Sequence, residues 1–204
     1  GLDNSGIEKD LAAMSSLIKG STAVIGAAMA AATTAVVGFG SAYETSMAKA
    51  STLFGDVAVD TENLNGKILK LSGSSGKAAT ELNETLYQAL SAGVPVTEDM
   101  GLALNAVETA SKLATSGFTT SASAIDVMTT AANAYSDAGY EMSEISDILL
   151  MTQNKGKTTV DELASSLGRV LPVASAYCVS LEDVGAAEAT MTANGIATAE
   201  STTY

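Results

Sequence analysis

Three glycines, Gly117, Gly156 and Gly195, recur at a constant step of about 39 residues, and the surrounding pattern predicts that each closes a pair of helices. Each is followed by a threonine placed to open the next helix: Gly117-Phe118-Thr119-Thr120, Gly156-Lys157-Thr158-Thr159 and Gly195-Ile196-Ala197-Thr198. A fixed step of this length is the signature of a stacked helical array. One unit of such an array cannot cover its own apolar face, so units bury their faces against neighbours and the expected product is an elongated scaffold.

Composition narrows the chemistry. Of 204 residues, 47 % are hydrophobic but only 4 % are aromatic and none is Trp, which leaves Ala, Leu, Val, Ile and Met to build the core. Small side chains favour close helix packing over a bulky interior. Ten basic residues against 23 acidic ones give a net charge of −13, which opposes binding to phosphate backbones and to anionic lipid heads. No direct nucleic-acid binding is expected. Histidine is absent and Cys178 is the single cysteine, so an internal disulfide, a zinc site and the Ser-His-Asp and Cys-His catalytic arrangements are all ruled out, and no cofactor is expected. The start, Gly1-Leu2-Asp3-Asn4-Ser5-Gly6, has no basic n-region, and the missing initiator Met leads to the expectation of a fragment.

The pattern predicts an all-α chain: a long N-terminal helix of small residues, then short antiparallel helix pairs repeating about every 39 residues. Residues 1–54 form the first region, opened by the capping box Ser5-Gly6-Ile7-Glu8. From Ser21 to Tyr43 no residue is charged, a length sufficient to cross a bilayer at about 1.5 Å per residue. Within it Thr22, Gly26, Ala30, Thr34, Gly38 and Ala42 recur every fourth residue and make a smooth stripe for close self-association. Two roles are open to this stretch, burial in an oligomeric bundle and membrane entry. Weak hydrophobicity and small residues favour the bundle.

Residues 55–77 are expected to hold a short helix, Thr61 to Leu71, and a flexible linker, Ser72-Gly73-Ser74-Ser75-Gly76. Residues 78–204 form the repeat region. Leu82, Leu86 and Leu90 mark a helix that Ala92-Gly93-Val94-Pro95 ends, and Thr97 caps the next with Glu98 and Asp99 in its first turn. Thr120 opens a helix containing Ile125, Val127 and Met128 and ending at Ala138-Gly139; Met142, Ile145, Ile148 and Leu149 mark its partner. Thr159-Val160-Asp161-Glu162 is a capping box opening a helix that Pro172 kinks, and Ser180-Leu181-Glu182-Asp183 begins the return helix, closed by Asn194-Gly195. A further helix starts near Thr198, and the array is expected to continue past Tyr204. No β-branched run alternates with polar residues long enough for a sheet.

Catalytic look-alikes fail on their own terms. Gly156-Lys157-Thr158 copies the end of a phosphate-binding P-loop, but Met151 stands where the loop needs its first glycine and no strand precedes it. Gly73-Ser74-Ser75-Gly76-Lys77 fails likewise, with Ala78 after the lysine. The acidic pairs Glu98-Asp99, Asp161-Glu162 and Glu182-Asp183 are accounted for as first-turn residues that complement the helix dipole. Cys178 has Arg169 as its nearest basic residue in sequence, so a passive small side chain is expected.

A family resemblance rests on a linked set of segments. The run Glu81-Leu82-Asn83-Glu84-Thr85-Leu86-Tyr87-Gln88-Ala89-Leu90-Ser91-Ala92-Gly93-Val94, then Ala114-Thr115-Ser116-Gly117, Thr159-Val160-Asp161-Glu162-Leu163-Ala164, Val170-Leu171-Pro172-Val173-Ala174 and Val179-Ser180-Leu181-Glu182-Asp183-Val184-Gly185-Ala186-Ala187 with Asn194-Gly195-Ile196, resembles the tail tape measure proteins of tailed bacteriophages and prophages. The resemblance spans about Ala42 to Tyr204. Where such proteins usually carry a glycine ahead of Val-Ser-Leu-Glu this chain has Cys178, and whether that turn takes a positive φ stays open.

The resemblance implies a non-enzymatic virion component in the lumen of the tail tube, assembled in the host cytoplasm. It implies a few parallel copies associated with one another, with tail tube and tail assembly chaperone proteins as partners. It further implies a role in fixing tail length, release ahead of the DNA and engagement of the host envelope and its membrane. Two other classes are carried beside it, a helical-repeat scaffold that binds a protein on its concave face and a membrane-active helical protein resting on the first helix.

Overall fold

The computed structural model describes residues 40–204, and helices are the only regular elements among them. Helix α1 runs through residues 40–51. It is followed by α2 (Thr61–Ser75), α3 (Ala79–Ser91), α4 (Gly101–Ser116), α5 (Ser121–Ala134), α6 (Met142–Lys155), α7 (Val160–Ser166), α8 (Leu171–Ala176), α9 (Leu181–Ala193) and α10 (Thr198–Ser201). Five of the six stripe positions, Thr22, Gly26, Ala30, Thr34 and Gly38, and most of the residues expected to form a long N-terminal helix lie outside the described residues. Ala42 falls on α1 and is exposed. Among the described residues no helix is long and apolar enough to cross a membrane.

Residues Thr45–Tyr204 form one compact unit built as two rows. In one row α5 lies between α3 and α7, and α7 meets α10; in the other α4 lies between α2 and α6, and α6 meets α9. Chain neighbours pack across the rows, with α8 bridging α5 and α9. With α7 and α8 taken as the halves of one broken helix, each helix meets those next to it in order and those one place further on.

Alanine sets the spacing. On α4, Ala103, Ala106, Ala110 and Ala114 recur at steps of three and four, and all are buried, as are Ala124 and Ala131 on α5. Side chains this small let axes approach to the near end of the usual separation, about 8 Å. Larger residues fill the space between rows: Leu113, Ile125, Met128, Ile145, Leu149, Leu163 and Leu171 are fully buried. Leu82 and Leu86 on α3 are equally enclosed, and truncating either to Ala costs about 2–5 kcal/mol. On α1, Met47 and Ala50 are buried, Ser46 Oγ accepts from Asn83 Nδ2 at 3.0 Å, and Lys49 Nζ lies 4.8 Å from the Tyr87 ring centroid.

Most helix starts follow the caps. Thr120 Oγ1 accepts from Ser123 N at 3.0 Å, Ser180 Oγ from Asp183 N at 3.1 Å, and Thr159 forms the reciprocal box with Glu162. Three expectations are corrected. Ser72-Gly73-Ser74-Ser75 is the last turn of α2 instead of a linker: Ser74 and Ser75 hydroxyls donate to the Leu71 carbonyl, and Gly76 ends the helix at φ 70° with its N–H on the Ser72 carbonyl. Thr97, Glu98 and Asp99 precede α4 instead of opening it. Asp99 Oδ1 accepts from Gly101 N at 3.0 Å and from Thr97 Oγ1 at 2.8 Å, which holds its carboxyl below the usual carboxylate range. Finally, the expected Pro172 kink is a break: α7 stops at Ser166, a 3₁₀ turn covers Leu167–Arg169, and Pro172 sits in the first turn of α8, where its missing N–H costs nothing.

Candidate functional site

The junction glycines do two different jobs. Gly117 ends α4 at φ −91°, a conformation open to any residue, but a Cβ there lies 2.7 Å from Val160 Cγ2 and 2.9 Å from the Leu113 carbonyl oxygen. Val160 opens α7, so the missing side chain lets the end of α4 touch the start of the next unit. Gly156 ends α6 at φ −95°, where a Cβ meets Thr192 Oγ1 at 2.5 Å and Ala189 Cα and the Thr152 carbonyl at 2.9 Å. Gly195 has φ +94° and open space around it, so the backbone alone demands glycine there.

A second set escapes a local reading of the sequence. Met100, Gly139 and Cys178 have φ of 54°, 72° and 59°, and they share the step that separates the junction glycines. Each precedes a helix of the α4–α6–α9 row. Cys178 thus takes the left-handed turn despite its Cβ. The spacing from Gly139 is the available signal, since nothing local in Met100 announces a positive φ.

Hydrogen bonds across units join residues one repeat apart, give or take a few positions. Ser121 Oγ donates to Glu81 Oε1 at 2.6 Å, Asn133 Nδ2 to the Ala92 carbonyl at 2.9 Å, and Thr119 Oγ1 to the Asp161 carboxylate. Tyr135, 5 % exposed, donates to the Val179 carbonyl at 3.0 Å and meets Tyr140 edge to face at 5.8 Å. Tyr140 donates in turn to Glu182. Burial first, then the Glu182 and Asp183 charges, raise the Tyr135 phenol above its ordinary value; the bond to Glu182 does so for Tyr140.

The chemical look-alikes fall in turns and helix starts. Lys157 N donates to Thr192 Oγ1 at 3.1 Å, and Thr158, buried, accepts from Thr198 Oγ1 at 2.8 Å, so Gly156-Lys157-Thr158 is a helix-helix turn with no cradle for phosphate. Asp161 and Glu162 lie in the first turn of α7, Glu182 and Asp183 in that of α9, while Glu98 and Asp99 precede α4. No cluster of metal-ligating side chains occurs among the described residues. Glu188, 2 % exposed on α9, accepts from Ser201 Oγ, and burial raises its carboxyl above the usual range. What the arrangement offers is a stacked surface held together by neighbour contacts.

Comparison with known proteins agrees with the resemblance read from the sequence. Residues 65–203 match the family model described as phage-related minor tail protein. The chain is 46% identical over 162 residues to the probable tape measure protein of Clostridium phage phiCD119, a stretch covering 79% of this chain and 17% of that protein. No solved structure matches the chain. The family match covers most of the helical stack, and the chain belongs to the phage-related minor tail protein family.

Proposed function

We propose that this chain is part of the ruler that sets tail length, that it acts without enzymatic chemistry, and that it occupies the lumen of the tail tube. The observation that carries this reading is the 46% identity to a tape measure protein. The two-row packing supports a particular role for the segment within such a ruler. A continuous helix as long as one repeat advances about 58 Å, whereas stacked helices step by about 10 Å. Residues Thr45–Tyr204 are on this reading a compact docking region of the ruler, a periodic array of helix pairs, and the length is supplied elsewhere.

The partners proposed for it are further copies of itself in parallel, the tail tube and the tail assembly chaperones. Release into the host envelope during genome delivery is assigned to the stretch before residue 45, whose small-residue stripe suits bundling or membrane entry.

Electron micrographs of virions test both parts. Placing a stop codon at the start of the gene is expected to abolish tails or make their lengths irregular; uniform tails of normal length overturn the ruler. An in-frame deletion of residues 118–156 is expected to change tail length by about 10 Å or less. A shortening of about 58 Å means that the segment is drawn out as a continuous rod, and the docking reading falls.

A further inference from the structure

Position 188 breaks the repeat. One and two repeats earlier stand Leu149 and Ala110, both fully buried, and Glu188 fills the same place on α9 with 2 % of its surface exposed. A carboxyl sealed in a core position is kept only where a hydrogen bond or a counter-charge answers it. No counter-charge does. The ion pairs among the described residues are Lys77–Glu81 and Lys112–Glu108. The charged groups on the elements packed against α9 are Glu144, Asp147 and Lys155 of α6 and Glu200 of α10, with none on α8. Glu162 of α7 reaches the neighbourhood through Thr198, and Lys157 through its backbone N–H on Thr192 Oγ1.

The hydrogen bond is to Ser201 Oγ. That hydroxyl has one hydrogen and two acceptors in reach, the Glu188 carboxyl and the Thr198 carbonyl at 2.9 Å. With Glu188 ionised, the hydrogen goes to one of them and the other contact is left without a proton. With Glu188 protonated both are made, the carboxyl donating to Ser201 Oγ and Ser201 donating to the Thr198 carbonyl. Burial acts in the same direction and raises the carboxyl above its usual range.

What rests on this bond is the seat of α10. The helix has four residues, too few to stand alone, and it packs on α7 and α9. Its buried residues are Thr198 and Ser201, followed by Thr202, with no large apolar side chain among them; Ala199, Glu200, Thr203 and Tyr204 are exposed. Hydroxyls therefore hold the seat. Thr198 Oγ1 lies 2.8 Å from Thr158 Oγ1 and 3.0 Å from Glu162 Oε2, and Ser201 meets Glu188.

We propose that Glu188 is a proton-operated latch: protonated, it donates to Ser201 and holds α10 against α9, and when the pH rises its proton passes to solvent base, the carboxylate turns to water and α10 leaves its seat. The latch is local to the α9–α10 junction and stands apart from length setting.

The test follows this site by two NMR signals in the whole chain. The side-chain carboxyl carbon of Glu188, assigned through Glu188→Gln, is expected to titrate at a higher pH in the folded chain than in the same chain unfolded in urea. Beyond that midpoint the amides of Ser201, Thr202 and Thr203, which bond within this last turn, are expected to lose protection from hydrogen exchange by up to about tenfold per pH unit after correction for intrinsic exchange, while the α6 amides keep theirs. Glu188→Gln carries its own donor at every pH, so its α10 amides are expected to stay protected over the range in which the wild-type chain loses protection. Titration of Glu188 at or below its unfolded midpoint overturns the proposal, because the carboxyl is then ionised in place. So does α10 protection that outlasts the Glu188 midpoint, the same loss in Glu188→Gln, or a loss shared by the α6 amides, since the chain then unfolds as a whole.

Discussion

Gly156 and Gly195 hold corresponding places in successive repeats, yet one is glycine because of its neighbours and the other because of its own backbone. At Gly156 the dihedral angles suit any residue, and what forbids a side chain is the α9 backbone 2.9 Å from where it would begin. At Gly195 the space is open and the obstacle is φ +94°. Met100 and Cys178 repeat the contrast without glycine: both are left-handed, but Met100 is fully buried while Cys178 is exposed. The reason for each residue thus lies either in the packing around it or in its own backbone angle.

Substitutions separate the two reasons, with urea unfolding of the chain as the measurement. Met100→Gly relieves the backbone but empties a core position, and a net loss of about 2–4 kcal/mol is expected; a gain means that strain outweighs burial there. Gly156→Ala forces α6 away from α9, with an expected loss of about 1–3 kcal/mol. Gly195→Ala meets only its own dihedral cost, about 1 kcal/mol, and a loss equal to that of Gly156→Ala erases the contrast between the two glycines. Cys178→Gly is expected to stabilise slightly, by about 0.5 kcal/mol, because nothing buried is lost.

Glu188 couples the two places, lying one turn before Thr192 and accepting from Ser201 beyond Gly195. Its carboxyl is raised by burial, so ionising it costs more in the folded chain than in the unfolded one. The Glu188 contribution to stability is therefore greatest below the ordinary carboxylate value and falls as pH rises through the folded value. Asp99, lowered by the Gly101 amide, works the other way and loses its contribution as pH drops below the ordinary value. Glu188→Gln is expected to flatten the decline toward neutral pH in a series of urea midpoints; an unchanged slope assigns the decline to other groups.

Local signals are the legible ones. Thr120, Thr159 and Ser180 each carry their own hydrogen-bond acceptor, so the helices they open are visible in the sequence. Ser72-Gly73-Ser74-Ser75 is not, because short polar residues serve equally as linker and as a helix's last turn, and Gly76 decides between them only once its φ is known. Thr97 misleads for the same reason: its hydroxyl bonds to Asp99, and that carboxylate takes the first amide of α4. The close approach of α6 to α9 is least legible, since Gly185-Ala186-Ala187 looks like any small-residue run until α6 is laid beside it.

Among the described residues the main contacts join adjacent and next-but-one helices, counting α7 and α8 as one, and this carries a mechanical consequence. Pulled from its ends, a stack held chiefly by such contacts yields link after link, each release feeding out fresh length at modest tension while the links behind stay closed.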